Sequence, residues 1–121
     1  MYITDKGLRY EVLSKDGNTG TVSVVEASKE LNGEVNIPES IEREGVVYRV
    51  IWISRCAFYK CCRVSAVTIS KGIQWIGENA FGSCKKLKRV MIPETVTWIG
   101  SGAFANCEGL RMNISKNNPC Y

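Results

Sequence analysis

Apolar and polar residues alternate along much of this chain, in short runs. Val64-Ser-Ala-Val-Thr-Ile69 and Leu87-Lys-Arg-Val-Met-Ile92 both end on apolar residues two apart, and Leu110-Arg-Met-Asn-Ile114 runs in parallel with them. A period of two predicts strands with one face turned inward. A second extended piece is expected at Ile73–Ile76 and at Val96–Ile99. Between the two kinds of strand lies Ala-Phe-x-x-Cys, whose Phe and Cys fall on one side of a helical turn or short helix. Nearer the N-terminus, residues 7–14 and 20–25 alternate around Asp16-Gly17-Asn18, a turn signal that predicts a hairpin.

These runs recur with a fixed period. Trp52, Trp75 and Trp98 are 23 apart, and so are Phe58, Phe81 and Phe104, and Cys61, Cys84 and Cys107. Three copies of the frame W-I-x-x-x-A-F-x-x-C-x-x-[VL] follow, the third losing one residue before Ile114. Such a period is too short for two packed helices and fits one coil of a solenoid. Stacked coils lie about 4.8 Å apart, so equivalent residues form columns. The Phe column is predicted to be a buried spine, flanked by Ile53/Ile76/Ile99 and Val64/Leu87/Leu110. Gly77 and Gly100 are expected to serve the bend after the second strand. Gly33-Glu-Val-Asn-Ile-Pro-Glu-Ser40 resembles Val90-Met-Ile-Pro-Glu-Thr95 and reads as an incomplete first coil. It carries an insertion around Glu42–Tyr48, expected to be a second hairpin. The predicted organisation is a β cap over residues 1–50, three repeats over 51–115 and a tail over 116–121.

Composition narrows the chemistry. The 121 residues contain no His, which excludes a Ser-His-Asp triad, a Cys-His dyad and imidazole ligation of zinc. Paired carboxylates, phosphate loops and metal spacings are also missing, so no catalytic residue, cofactor or metal is expected. No apolar run approaches the roughly 20 residues that cross a bilayer, and no membrane insertion is expected. The first residues lack a basic segment followed by an apolar core, so no signal peptide is expected in this stretch. Charge is uneven: residues 1–50 carry 6 basic and 9 acidic side chains, residues 51–121 carry 10 basic and 3 acidic. A net charge of +4 without a recognised motif argues against nucleic acid. Of the 6 Cys, the three in the column are expected to be buried free thiols. Cys56, Cys62 and Cys120 lie off it; a Cys56–Cys62 bridge and an intermolecular bond at Cys120 stay open.

The motif I-P-E-[ST]-[IV] followed by W-I-G-x-x-A-F-x-x-C-x-x-L resembles the BspA-like, or type-5, leucine-rich repeat, and residues 34–115 carry the resemblance. It departs from the family pattern at Ser70-Lys-Gly72, where Pro-Glu-Thr stands in the third coil, and in the Trp that precedes the family Ile three times. The resemblance implies a leucine-rich-repeat solenoid, mainly β with short helical turns, closed by an N-terminal β-hairpin cap. It also implies a secreted or cell-surface protein of adhesion type without enzymatic activity.

Two surfaces are candidates for binding. The Trp column could pack under a neighbouring loop or cap, or stand as an exposed strip for a protein or glycan ligand. On the strand surface the outward positions are expected to be Glu34/Asn36, Ala66/Thr68, Arg89/Met91 and Asn113. The candidate ligand-binding residues are Trp52, Trp75, Trp98, Lys88, Arg89 and Met91. Lys60, Arg63, Lys85 and Lys86 join Lys88 and Arg89 in a basic cluster, read either as a solvated edge or as an attraction for an acidic partner such as sulfated glycan. The expected partner is a host or bacterial surface protein or glycan. The alternative is self-association, a homodimer through the Trp strip or an open coil edge.

Overall fold

The alternating runs form strands that close into coils. The computed structural model describes residues 1–120; Tyr121, the end of the expected tail, lies outside the described residues. Strands β1 (Tyr2–Asp5), β2 (Leu8–Asp16) and β3 (Thr19–Ala27) make an antiparallel meander. Then come β4 (Gly33–Ile37), β5 (Ser40–Arg43) and β6 (Val46–Ile53), and after them β7 (Val64–Ile69), β8 (Trp75–Ile76), β9 (Arg89–Ile92), β10 (Trp98–Ile99) and β11 (Arg111–Ile114).

They build two sheets. Sheet A runs β1-β2-β3-β6-β8-β10, with β5 paired on β6; sheet B runs β11-β9-β7-β4 and is parallel throughout. Both predicted hairpins are present, and β1 adds a third strand that the sequence pattern did not reveal. Its tight turn at Lys6-Gly7 and that of the β5–β6 hairpin at Glu44-Gly45 have φ of 49° and 82°, and 52° and 79°. Positive φ at both central residues matches the twist of paired strands. The first coil is more complete than the sequence suggests. β3 pairs in parallel with β6, from Thr19↔Val47 to Val24↔Ile53, so β3 and β4 are its two strands. The cap and the first full repeat share β6, a continuous strand across position 50.

Of the two forms expected for Ala-Phe-x-x-Cys, a helical turn or a short helix, the segment takes the turn. No helix forms among the described residues. The N–H groups of Ala57, Tyr59 and Cys61 close turns on the carbonyls of Ser54, Cys56 and Phe58. Those of Cys56, Phe58 and Lys60 instead donate to Glu78, Ala80 and Gly82 of the next coil, at 3.0, 2.7 and 2.9 Å. The following coil repeats this through Asn79, Phe81 and Ser83. A right-handed helix is interrupted because Cys56 and Lys60 sit at φ 59° and 60°, and Asn79 and Ser83 at 55°. The helical turns are thus a string of single turns that forms a third hydrogen-bonded wall.

The core runs up the middle of the stack. Phe58 and Phe81 are fully buried and stack at 4.8 Å; Phe81 stacks on Phe104 at 5.2 Å. Ile53, Ile76, Val64 and Leu87 are buried beside them, whereas Phe104, Ile99 and Leu110 of the last coil are half-buried. Gly77 and Gly100 do not have the left-handed φ of a bend residue. A Cβ on Gly77 would lie 2.6 Å from the Arg55 nitrogen, and one on Gly100 2.6 Å from the Glu78 nitrogen. They are glycine because one coil's backbone passes close over the next.

Candidate functional site

The short strands of sheet A place the Trp column. In β6, β8 and β10 the Ile faces the core, so the adjacent Trp must face outward. Pairing is in register: Trp52↔Trp75 and Trp98↔Trp75. Trp52 is 39% and Trp98 44% exposed, with Trp75 half-buried between them. The rings of Trp52 and Trp75 lie 5.3 Å apart at 58°. The strip is open to solvent, not covered by a loop or by the cap.

The strip does not stop at the repeats. Trp52 pairs with Ser23, Ser23 with Glu11 and Glu11 with Tyr2. The inward neighbours of these residues, Ile3, Tyr10, Val22 and Val24, are buried, which sets Tyr2 and Glu11 on the outer face, Glu11 half-buried; Ser23, in the same row, is itself buried. One row, Tyr2–Glu11–Ser23–Trp52–Trp75–Trp98, therefore crosses the whole sheet. Tyr2 is 53% exposed, and the Arg9 guanidinium lies over its ring at 4.1 Å while reaching Glu26 at 3.9 Å. Sequence periodicity missed Tyr2, Glu11 and Ser23 because they precede the repeats. Strand register alone connects them, and no spacing in the chain signals it.

Sheet B carries the second surface, with the outward rows expected from sequence. Glu34, Ala66, Arg89 and Arg111 form one; Asn36, Thr68, Met91 and Asn113 form the other. Arg89 Nη2 reaches over the small Ala66 to Glu34 Oε1 at 3.0 Å. This ion pair is exposed and contributes at most about 1 kcal/mol. Met91 is exposed and, with Val67, Val90 and Met112, helps line a shallow depression of about 440 Å³. Lys88 belongs to neither face: its Nζ donates to the Glu108 carbonyl at 3.0 Å, along the coil corner. The six candidate residues thus fall in three places, with only the Trp trio forming a continuous patch.

All six Cys are free thiols, Cys56 and Cys62 among them. The column is more than apolar filling. Cys84 Sγ donates to the Phe58 carbonyl and Cys107 Sγ to the Phe81 carbonyl, each at 3.0 Å. Burial pushes the Cys84 thiol up to about 12, and raises Cys61 and Cys107 as well. A thiol held protonated is a poor nucleophile and a poor metal ligand. No group of three or more Cys, Asp or Glu stands together as a metal site among the described residues.

Residues 51–119 match the family model for the BspA type leucine rich repeat region, a region of six copies. The chain belongs to the BspA-type leucine-rich repeat family. No curated protein matches it. Solved structures resemble it closely in fold. A leucine-rich repeat protein of Bacteroides capillosus ATCC 29799 superposes with a TM-score of 0.83 at 25% identity, over 98% of this chain and 85% of that one. A leucine rich cell surface protein of Faecalibacterium prausnitzii A2-165 gives 0.77 at 26% identity, over 94% of this chain and 31% of that one. The pneumococcal vaccine antigen PcpA shares the fold at 22% identity and a TM-score of 0.66, with 39% of its length covered. The chain thus spans about a third of the Faecalibacterium and pneumococcal proteins. This BspA-type chain differs from the family pattern in the Trp column, the same feature that its fold leaves facing solvent.

Proposed function

We propose that this BspA-type chain is a non-enzymatic binding module of the bacterial cell surface, holding a protein or glycan ligand on the outer face of sheet A. One observation carries the reading. Three indoles stand in register on a sheet face, two of them 39% and 44% exposed, where the core gains little from them. Trp is costly to leave in water and is enriched where surfaces meet partners. The surface location rests on the Faecalibacterium relative, a cell surface protein. The reading is tested by screening the chain against host-protein and glycan arrays, beside Trp75→Ala and Trp98→Ala variants checked for unchanged circular dichroism. Loss of about tenfold or more in affinity is expected for each. Hits that bind both variants as well as the parent would overturn it.

A second reading is favoured by the last coil. Met112 pairs with fully buried Val90 yet is itself 46% exposed, and Ile99, Phe104 and Leu110 beside it are half-buried. Two copies meeting there would cover these side chains. Sedimentation velocity over a concentration series then shows a dimer that Met112→Lys dissociates and Trp75→Ala does not; a monomer throughout removes this reading.

A further inference from the structure

We propose that the free edge of β4 is a docking strand for a basic, extended protein segment, which adds to sheet B by main-chain pairing in the cleft between β4, β5 and the β1–β2 turn. The site is separate from the outer face of sheet A and does not depend on how that face is read. Sheet B ends at β4, which has β7 on one side and no strand on the other. The Gly33 N–H donates to the Arg63 carbonyl at 3.0 Å, so Gly33, Val35 and Ile37 point their main-chain groups at β7. Those of Glu34 and Asn36 point the other way, and the N–H and C=O of both are without a partner among the described residues. Such a row pairs with a strand laid alongside it.

Three further features make this edge a site. The first is room. A cleft of about 550 Å³ lies beside β4, floored by buried Leu8, Val35 and Ile41 and walled by Asp5 and Lys6 of the β1–β2 turn and by Ser40 and Glu42 of β5. At β11, the opposite edge of sheet B, the depression is lined by residues 112–116 alone, with no second wall. The second is an unused hydroxyl. Tyr10 is 1% exposed and lines the cleft, yet its hydroxyl has no hydrogen-bond partner among the described residues. Burial, and then the Asp5 charge, push it up to about 12, so it stays protonated and can donate to a main-chain carbonyl. The third is charge. Asp5, Glu34 and Glu42 line the cleft against one cation, Lys6. Glu34 is shared with Arg89 on sheet B, and Arg43 is engaged at the Thr4 carbonyl at 3.2 Å. The rim repels an acidic segment and attracts a basic one. A strand's period of two then sets apolar side chains on the floor and basic ones along the rim.

The test titrates the full chain with fluorescein-labelled peptides of about six residues, long enough to run along β4. One alternates lysine and valine, a second alternates glutamate and valine, and a third is the basic peptide with its main-chain nitrogens methylated, which keeps the charge and removes every main-chain donor. Fluorescence anisotropy is expected to show saturable binding of the basic peptide, and binding about tenfold or more weaker for the other two. Affinity is expected to fall several-fold as salt rises from about 0.05 to 0.5 M, since exposed charge pairs are screened. Asn36→Pro removes one unpaired N–H and leaves the bonds to β7 in place; it is expected to lose about tenfold or more. Tyr10→Phe, which keeps the ring, is expected to lose several-fold. Glu42→Lys, at an exposed position, is expected to lose about tenfold and guards against misfolding of the Pro variant, with circular dichroism as the check. The proposal is overturned if the basic peptide does not bind, if the acidic peptide matches it, or if a correctly folded Asn36→Pro variant or Glu42→Lys binds like the parent. It is equally overturned if the methylated peptide binds as tightly as the basic one, since charge alone then holds the segment.

Discussion

Single residues in this chain are set by where the neighbouring coil lies. Gly77 and Gly100 have the preceding coil's backbone 2.6 Å from where a Cβ would sit, and Ser54, in the same column, stacks on β3 through its N–H bond to the Val24 carbonyl. Gly77→Ala is therefore expected to lose about 1–3 kcal/mol through forced backbone shifts, and Ser54→Gly no more than about 1 kcal/mol. Urea unfolding of both variants measures the contrast. The left-handed positions make a second set. Lys60 at φ 60°, Ser83 at 55° and Asn106 at 59° occupy one column, and only Asn tolerates that geometry well. Lys60→Asn is expected to raise the unfolding free energy by up to about 1 kcal/mol, seen as a higher urea midpoint. Titration follows from burial. Cys84 rises from 9.0 to about 12, and Tyr10, buried and beside Asp5, rises from 10.0 to about 12. The folded chain keeps protons that the unfolded chain releases. Stability is thus full below about pH 9 and is lost as pH climbs through the window to 12. Cys84→Ser, which keeps a donor and does not titrate there, should flatten that fall in a pH series of urea midpoints.

At the scale of elements, the Phe spine binds the coils. Phe81 stacks on both neighbours and is fully buried, so Phe81→Ala is expected to cost about 3–5 kcal/mol, and half-buried Phe104→Ala less. Thermal unfolding of the two variants decides it. Most of this layer was legible in the sequence. The 23-residue period identified the spine, the Cys column and the outward positions of sheet B, because a solenoid turns sequence spacing directly into spatial stacking. What the period could not carry was the turn wall, where a helical turn and a short helix were both open. The Phe-to-Cys spacing suits both a helix and a string of turns. The deciding fact, a left-handed Cys56 and Lys60, comes from residue types with no preference for that conformation. The cap was legible only as hairpins. β1 has one buried residue, Ile3, and four residues are too few to establish a period. The extension of the Trp row was hidden for the same reason: Tyr2, Glu11 and buried Ser23 join it only through pairing partners far away in sequence.

Across the whole molecule, strand pairing joins each coil to its neighbours, and three walls of hydrogen bonds run along the stack. Protection should therefore grade along the stack. The N–H groups of Phe58 and Phe81 are buried and bonded to the following coil at 2.7 Å, while the last coil's Ile99, Phe104 and Leu110 are half-buried. Amide exchange should be slowest at Phe58 and Phe81 and fastest over residues 98–114. Uniform protection would mean that the stack opens only as a unit.

The glycine column also bears on how such a chain lengthens by duplication of its own gene segment. A copied stretch of residues 75–97 carries Gly77 at its joint and can be inserted after any full coil. A copied stretch of residues 52–74 carries Ser54 instead, and its Cβ would land on the backbone of the coil before it. The first repeat is thus confined to its place beside the cap, and the second is the natural template for growth.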